Sequence, residues 1–551
     1  MSGRIRSLIS GTALRSWGRP ATLAVATLLV AGAPAPAAAA GSASPPRQTV
    51  VATDAGLVRG AATAEGRQFL GIPYAQQPVG KSRWKAPRPA KDWHGVRDAT
   101  GFGNRCVQTR SWDPGYEQPS HTEDCLDLNV YSPDGHGAVR RPVMVWLHGG
   151  GLVAGAGEDI VPDTFARRTG AVVVTVNYRL GAMGFLATAG LDGEAPDRVS
   201  GNYGFLDQQA ALRWVRTNIG RFGGDPGRVT IAGESAGGGS VCTQLASPTA
   251  RGLHRAGIIQ SGAYGDCAAR EQKQAVADGA AFAAKLGCPA PGGDAKASLA
   301  CLRGKSAKEI LDAQAGFRWA GVVGGDFLPE QPARAFARGA AAGVPVMNGA
   351  NQDEGTLFAF GEYDAQGKPL TAQEYPAALA RQFGPVQGGK ALARYPLASY
   401  PSPSLAYGTA IGDHLMACPA LRLDRTLAGR GKVYAYEFAD RTSPPFASLR
   451  NMGTKFAFGA THVNEVQYLF KHFGLETPLN AEQRVLARQM VQYWGSFIQG
   501  GPPRAEGGPV MPDGPGGRVL SLRTASAGSS VISTSVHREH LCDLWDAADT
   551  V

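Results

Sequence analysis

The stretch Val229-Thr230-Ile231-Ala232-Gly233-Glu234-Ser235-Ala236-Gly237-Gly238-Gly239-Ser240-Val241-Cys242-Thr243-Gln244-Leu245-Ala246 decides the fold. Its first four residues form a short apolar run, the pattern of a buried strand. The segment after Gly237 is small and apolar enough for a tightly packed helix. Between them, Gly233 and Gly237 flank Ser235, so the backbone can turn sharply without Cβ atoms blocking the neighbouring elements. Strand, tight turn and helix, with a serine at the turn, make a nucleophile elbow. In a chain with 74 glycines the five letters Gly-Glu-Ser-Ala-Gly could arise by chance. Their flanking strand and helix patterns make them specific.

Similar strand patterns extend in both directions. Residues 143–147 and 171–176 are continuous apolar runs, as expected of strands covered on both faces. Residues 229–232, 256–260, 344–349 and 433–438 continue the series, with helical patterns between them such as 204–219. Strands alternating with helices predict a large, mostly parallel sheet with helices on both faces. Residues 56–60 and 67–73 read as strands of a small N-terminal antiparallel sheet. Residues 126–131 alternate apolar and polar, which predicts a half-buried strand. The Gly/Pro-rich stretch 500–517 reads as a surface loop, because a strand and a terminal helix follow it. No internal repeat is visible, so residues 41–551 are expected to form one domain with long insertions.

The first 40 residues read differently. Arg4, Arg6, Arg15 and Arg19 form a basic n-region, residues 21–31 a short apolar h-region, and Ala37-Ala38-Ala39-Ala40 a small-residue cleavage site. This is the pattern of a secretory signal peptide, too short and wrongly flanked for a stable membrane span. No second run of spanning length follows, and the mature chain is expected to be soluble and exported. The net charge of the 551 residues is +10. Its basic residues are dispersed, without the blocks or interleaved aromatics of a nucleic-acid binder. Arginine outnumbers lysine, and Ala and Gly abound, a composition that looks like a high-GC bacterial genome.

Eight cysteines in an exported chain point to disulfides. Eight allow 105 pairings, but Cys106 with Cys125 and Cys288 with Cys301 stand close enough to be local staples. Cys242, inside the helix after Ser235, reads as a small buried apolar residue.

A serine hydroxyl needs a general base, an orienting acid and N–H donors for the developing oxyanion. The donors are visible in Trp146-Leu147-His148-Gly149-Gly150-Gly151, where bare backbone after a buried strand can approach an ester carbonyl. The amide of Ala236, at the start of the helix, supplies another. His148 reads as shaping this loop rather than as a base. No metal-ligand cluster and no dinucleotide glycine fingerprint is present, so no metal and no cofactor is implied.

Gln68-Phe69-Leu70-Gly71-Ile72-Pro73-Tyr74-Ala75, Glu123-Asp124-Cys125-Leu126-Asp127-Leu128-Asn129-Val130 and Val176-Asn177-Tyr178-Arg179-Leu180 resemble signatures of one family. So do Gly201-Asn202-Tyr203-Gly204-Phe205-Leu206-Asp207-Gln208, Phe222-Gly223-Gly224-Asp225-Pro226 and Gly233-Glu234-Ser235-Ala236-Gly237-Gly238. The family is the type-B carboxylesterase/lipase family of the α/β-hydrolase superfamily. It includes the cholinesterases and the bacterial para-nitrobenzyl-esterase-like carboxylesterases. The resemblance spans roughly residues 48–546.

The resemblance implies an α/β-hydrolase fold and a secreted serine esterase acting on small-molecule esters through a Ser235, Glu354 and His462 triad. Gly150, Gly151 and Ala236 form its oxyanion hole. Glu354 lies in Asp353-Glu354-Gly355, where Asp353 is the alternative acid. His462 lies in Gly459-Ala460-Thr461-His462-Val463-Asn464-Glu465-Val466, whereas His414, His472, His537 and His540 read as helix-surface or C-terminal residues. Glu234 and Glu465 match the family as buried carboxylates with structural roles. The family also pairs Cys106–Cys125, Cys288–Cys301 and Cys418–Cys542, leaving Cys242 and Cys267 either to form a fourth bridge or to stay free.

In cholinesterases the first disulfide loop is longer and carries a tryptophan that stacks on a quaternary ammonium. Here Trp112 sits at a different offset, which argues against acyl-choline specificity. The competing readings are a lipase on longer acylglycerols and a catalytically silent binding or adhesion module. A lipase lid in the Cys106–Cys125 loop would carry Arg110, Asp113, Glu117, Glu123 and Asp124, too charged for strong interfacial binding. The intact triad set argues against a silent module. Amide hydrolysis is a third activity open to the same machinery.

Overall fold

In the computed structural model, thirteen strands form one sheet. They are β1 (Gln48–Ala52), β2 (Leu57–Thr63), β3 (Gly66–Pro73), β4 (Val96–Asp98), β5 (Asp127–Ser132), β6 (Arg141–Leu147) and β7 (Val172–Val176). There follow β8 (Gly224–Glu234), β9 (Ala256–Gln260), β10 (Val346–Asn351), β11 (Val433–Phe438), β12 (Val519–Leu522) and β13 (Val531–Ser533). The structure describes residues 48–109, 119–134, 140–289, 294–514 and 517–547. The leader expected over residues 1–40, and Trp112 with Arg110, Asp113 and Glu117, lie outside them.

Spatial order is β1-β2-β3-β5-β7-β6-β8-β9-β10-β11-β12-β13, with β4 beside β2. From β7 through β12 every neighbouring pair is parallel. The antiparallel strands β1 to β3 are continuous with this block through antiparallel β5.

Strand periodicity places the core. Val143, Val145 and Leu147 of β6 join one apolar cluster, while Met144 and Trp146 join another. Successive side chains point to opposite faces of a strand, so both faces of the sheet are covered. Helices α1 (Tyr203–Asn218) and α2 (Ala236–Ala246) pack into the first cluster through Phe205, Leu212, Val241 and Leu245. Against α1, a cavity of about 750 Å³ bordered by Trp84, Lys85 and Phe327 contains none of the candidate site residues. Among the helices that follow β10 are α3 (Thr356–Glu362), α4 (Pro403–Gly412) and α5 (Cys418–Ala428). Helix α6 (Ala481–Gln499) fills the second cluster with Leu486, Met490, Trp494 and Phe497. The last helix is α7 (Cys542–Asp546), and among the described residues no helix is long and apolar enough to cross a membrane.

Three sequence readings are changed or completed. First, β5 is buried on both faces rather than half-buried. Two of its polar residues are enclosed with partners: Asn129 accepts from the Gly71 amide and donates to Thr175 Oγ1, and Ser132 Oγ donates to Phe222 O. Burial pushes the Asp127 carboxyl up to about 7. Second, Cys242, which the sequence leaves open between a free buried thiol and a fourth bridge, is bonded to Cys267, tying α2 to the segment after β9. The pairs Cys106–Cys125, Cys288–Cys301 and Cys418–Cys542 are also formed. Third, His472 and His540 are buried and lie on no surface. Enclosure pushes the His472 imidazole down to about 4.

Candidate active site

The candidate residues collect at the carboxyl ends of the parallel strands, where α/β sheets leave a crevice between diverging connections. Ser235 joins β8 to α2 at φ +54° and ψ −124°. A non-glycine residue held there costs of order 1–3 kcal/mol, which the surroundings must impose. They do so through two backbone bonds: the Ser235 amide donates to Gln260 O, and Ser235 O accepts from the Gly239 amide. The flanking glycines are sterically required. A Cβ on Gly237 would lie 1.9 Å from Leu147 O, and one on Gly233 would lie 2.5 Å from the Gly237 carbonyl carbon.

Residues 148–151 follow β6 and lie against this turn. A Cβ on Gly149 would sit 3.2 Å from that of Ser235. Gly150 and Gly151 have φ of +95° and +63°, the left-handed region that glycine alone enters freely. Gly150 O accepts from the amides of Val153 and Ala154, and the Tyr178 hydroxyl donates to His148 O. His148 stacks on Tyr178 with ring centroids 4.3 Å apart, and burial pushes its pKa down to about 3. It is therefore a neutral part of the loop wall. Among the described residues, the amides of Gly150, Gly151 and Ala236 donate to no protein acceptor, leaving them available to a ligand oxygen.

Glu354 follows β10 and is buried, with Oε1 accepting from the Asn351 amide at 2.7 Å. Its Oε2 lies 2.6 Å from His462 Nδ1. The neighbouring Asp353 is committed elsewhere: Arg441 grips it through two nitrogens at 2.9 and 2.7 Å, and the Ala460 amide donates to Oδ2. Of the two adjacent acids, the structure therefore brings Glu354 to the imidazole. His462 Nε2 faces Glu234 Oε1 at 3.3 Å, and among the described residues the Ser235 hydroxyl makes no hydrogen bond. Burial alone pushes the His462 pKa down, but Glu234, Glu354 and Glu465 outweigh it and lift it to about 9.

Several further residues complete the site. Phe358 on α3 leans on the imidazole, ring centroids 5.1 Å apart. Glu465 accepts from Gln260 and Asn351 side chains, and Trp494 donates to Gln260 Oε1. Ser261, at φ +49°, buries an Oγ that has no partner among the described residues. Of these, Glu465 was legible, through its match to the family in the segment after His462.

The Carboxylesterase family profile matches residues 47–516. The chain is 34% identical over 478 residues to para-nitrobenzyl esterase of Bacillus subtilis (strain 168), covering 83% of this chain and 91% of that one. It is 35% identical over 497 residues to human (Homo sapiens) cocaine esterase, covering 86% of each. Against acylcarnitine hydrolase of Rattus norvegicus the identity is 34% over 505 residues, covering 86% and 87%. A solved PNB esterase structure superposes with a TM-score of 0.73 at 31% identity, covering 90% of this chain and 99% of that one. The fold is thus that of the α/β-hydrolases, and the chain belongs to the carboxylesterase family and is a carboxylic-ester hydrolase.

Proposed function

We propose that the chain is an exported serine esterase working through Ser235, His462 and Glu354. The observation that carries the reading is the 2.6 Å contact between His462 Nδ1 and Glu354 Oε2, beside a strained serine turn. Ser235 Oγ attacks the ester carbonyl carbon while its proton passes to His462 Nε2. Glu354 fixes the tautomer with the proton on Nδ1 and stabilises the imidazolium that forms. The carbonyl oxygen, now negative, is held by the amides of Gly150, Gly151 and Ala236. Collapse breaks the bond to the alcohol, which takes the proton from His462. Water then repeats the sequence on the acyl-Ser235 ester and releases the acid.

His462 Nε2 lies 3.3 Å from Glu234 Oε1, and the Ser235–His462 hydrogen bond closes on substrate binding, as catalytic contacts in ligand-free sites often do. The basic and apolar regions of residues 1–40, with four disulfides, support export. Benzyl esters are the proposed substrates, in keeping with the name of the para-nitrobenzyl esterase relative. Ser235→Ala should fold normally and hydrolyse no p-nitrophenyl acetate or butyrate. Wild-type turnover by that variant would refute the assignment.

A further inference from the structure

His540 lies outside the site just described, yet it joins two of the walls that hold Glu354. It is 4% exposed, and both of its ring nitrogens meet buried carboxylates. Nδ1 is hydrogen bonded to Asp413 Oδ1, and Nε2 lies 2.9 Å from Glu437 Oε1. The protons in this cluster can be assigned one by one. Arg523 Nε donates to Ser521 Oγ at 2.8 Å, so the single Ser521 proton goes to Glu437 Oε2 at 2.9 Å. Trp545 Nε1 donates to the Tyr395 hydroxyl at 2.8 Å, so the Tyr395 proton goes to Asp413 Oδ2 at 2.8 Å. Both carboxylates therefore act as acceptors on their outer oxygens. Their inner oxygens both face the imidazole, and with both carboxylates charged it satisfies the two only when protonated on both nitrogens.

The two carboxylates belong to different walls of the Glu354 turn. Asp413 follows Gly412, the last residue of α4, and opens a π-helical turn. Helix α4 touches the turn through bare backbone: a Cβ on Gly355 would lie 2.0 Å from Gly408 O, and one on Gly412 would lie 3.2 Å from Glu354 Cβ. Glu437 is on β11, paired in register with Ala350 of β10, and Phe438 is paired with Asn351. The Asn351 amide in turn holds Glu354 Oε1. The segment carrying His540 is itself fixed by the Cys418–Cys542 bridge and by Trp545, which is fully buried.

We propose that His540, bridging Asp413 at the end of α4 and Glu437 on β11, is a positioning residue that sets where Glu354 meets His462. The C-terminal segment thereby belongs to the apparatus that orients the base. The proposal rests on the reading of Ser235, His462 and Glu354 as a triad.

The test uses the full-length enzyme and the variants His540→Gln, Asp413→Asn and Tyr395→Phe. Folding is checked by near-UV circular dichroism and cooperative thermal unfolding. A misplacement of about 1 Å in a catalytic group can cost about 100-fold, so partial relaxation of the Glu354 turn should lower kcat about 10-fold with KM within about 2-fold. As Glu354 drifts from His462, the acid limb of kcat/KM should also move to lower pH. Tyr395→Phe removes the donor to Asp413 Oδ2 and the acceptor of Trp545 Nε1–H without stranding a charge, so it is the mildest of the three and should show the same shift in smaller size. Folded variants with a lowered melting temperature but wild-type kcat and acid limb would overturn the proposal and leave His540 a purely structural residue. Should the first two variants not fold, an unmoved acid limb in Tyr395→Phe overturns it. Glu354→Gln separates the two levels: wild-type turnover there refutes the triad itself, whereas loss there with an unchanged His540→Gln refutes only the bridge.

Discussion

Replacing Glu354 by Gln tests the orientation of the base in a way the structure makes quantitative. Glu354 Oε1 accepts from the Asn351 amide at 2.7 Å and Oε2 faces His462 Nδ1 at 2.6 Å. A glutamine has one oxygen and one NH2 group. The Asn351 amide can only donate, so the glutamine oxygen stays there and the NH2 turns toward His462. An NH2 facing Nδ1 forces that nitrogen to accept, which moves the imidazole proton to Nε2, the nitrogen that must take the proton of Ser235. The wrong tautomer in an otherwise intact triad costs about 10⁴ in kcat, or about 5.5 kcal/mol of barrier. The assay is steady-state hydrolysis of p-nitrophenyl butyrate, with KM expected within a few-fold of wild type. Asp353→Asn is the control: it weakens the Arg441 pair and stability without changing the tautomer. A Glu354→Gln enzyme within tenfold of wild-type kcat would refute the reasoning.

Gly150→Ala places a methyl 2.3 Å from Ala154 O at a φ of +95°, so the loop must shift; kcat should fall about 100-fold in a folded protein, and an unchanged kcat would remove Gly150 from the oxyanion site. The base acts only when neutral, and its carboxylate neighbours hold His462 at about 9, so kcat/KM should rise with pH from 6.5 toward 9. Glu234→Gln takes away one of those carboxylates and should move this limb to lower pH, and a limb that stays put would contradict the assignment. The Cys242–Cys267 bridge closes a loop with sequence separation 25. Replacing both cysteines by serine should therefore cost about 3.5 kcal/mol on the chain-entropy scale, measured by urea unfolding, with no loss expected if the thiols are free in the native protein.

Much of the fold was legible because it follows from periodicity. Strands β9 and β11 occupy the apolar runs that mark them, residues 256–260 and 433–438. Strand β8 begins five residues before its apolar run, at Gly224, because Asp225, Pro226 and Arg228 carry no apolar signal. Strand β5 was misjudged for a related reason. Alternation reports side-chain polarity, and it cannot show that Asn129 finds buried partners on the face that looked solvent-exposed. Around Ser235 the local letters sufficed, since the turn depends on Gly233 and Gly237 within the same short segment. Glu354 was preferred to Asp353 through the family resemblance alone; in the structure Arg441, 88 residues away, pairs with Asp353, and His462 meets Glu354. Cys242 and His540 were undecidable or misread for the same reason, their partners being distant in sequence and without a local motif.

The central claim is that Ser235 is the nucleophile. The most direct measurement is intact-mass and peptide mass spectrometry of the purified protein after treatment with an ethyl fluorophosphonate ester probe. The account predicts one adduct per chain, located on Ser235, with hydrolysis of p-nitrophenyl butyrate lost in proportion to labelling. An active enzyme that takes no adduct, or one labelled at another residue while Ser235 stays free, would contradict it.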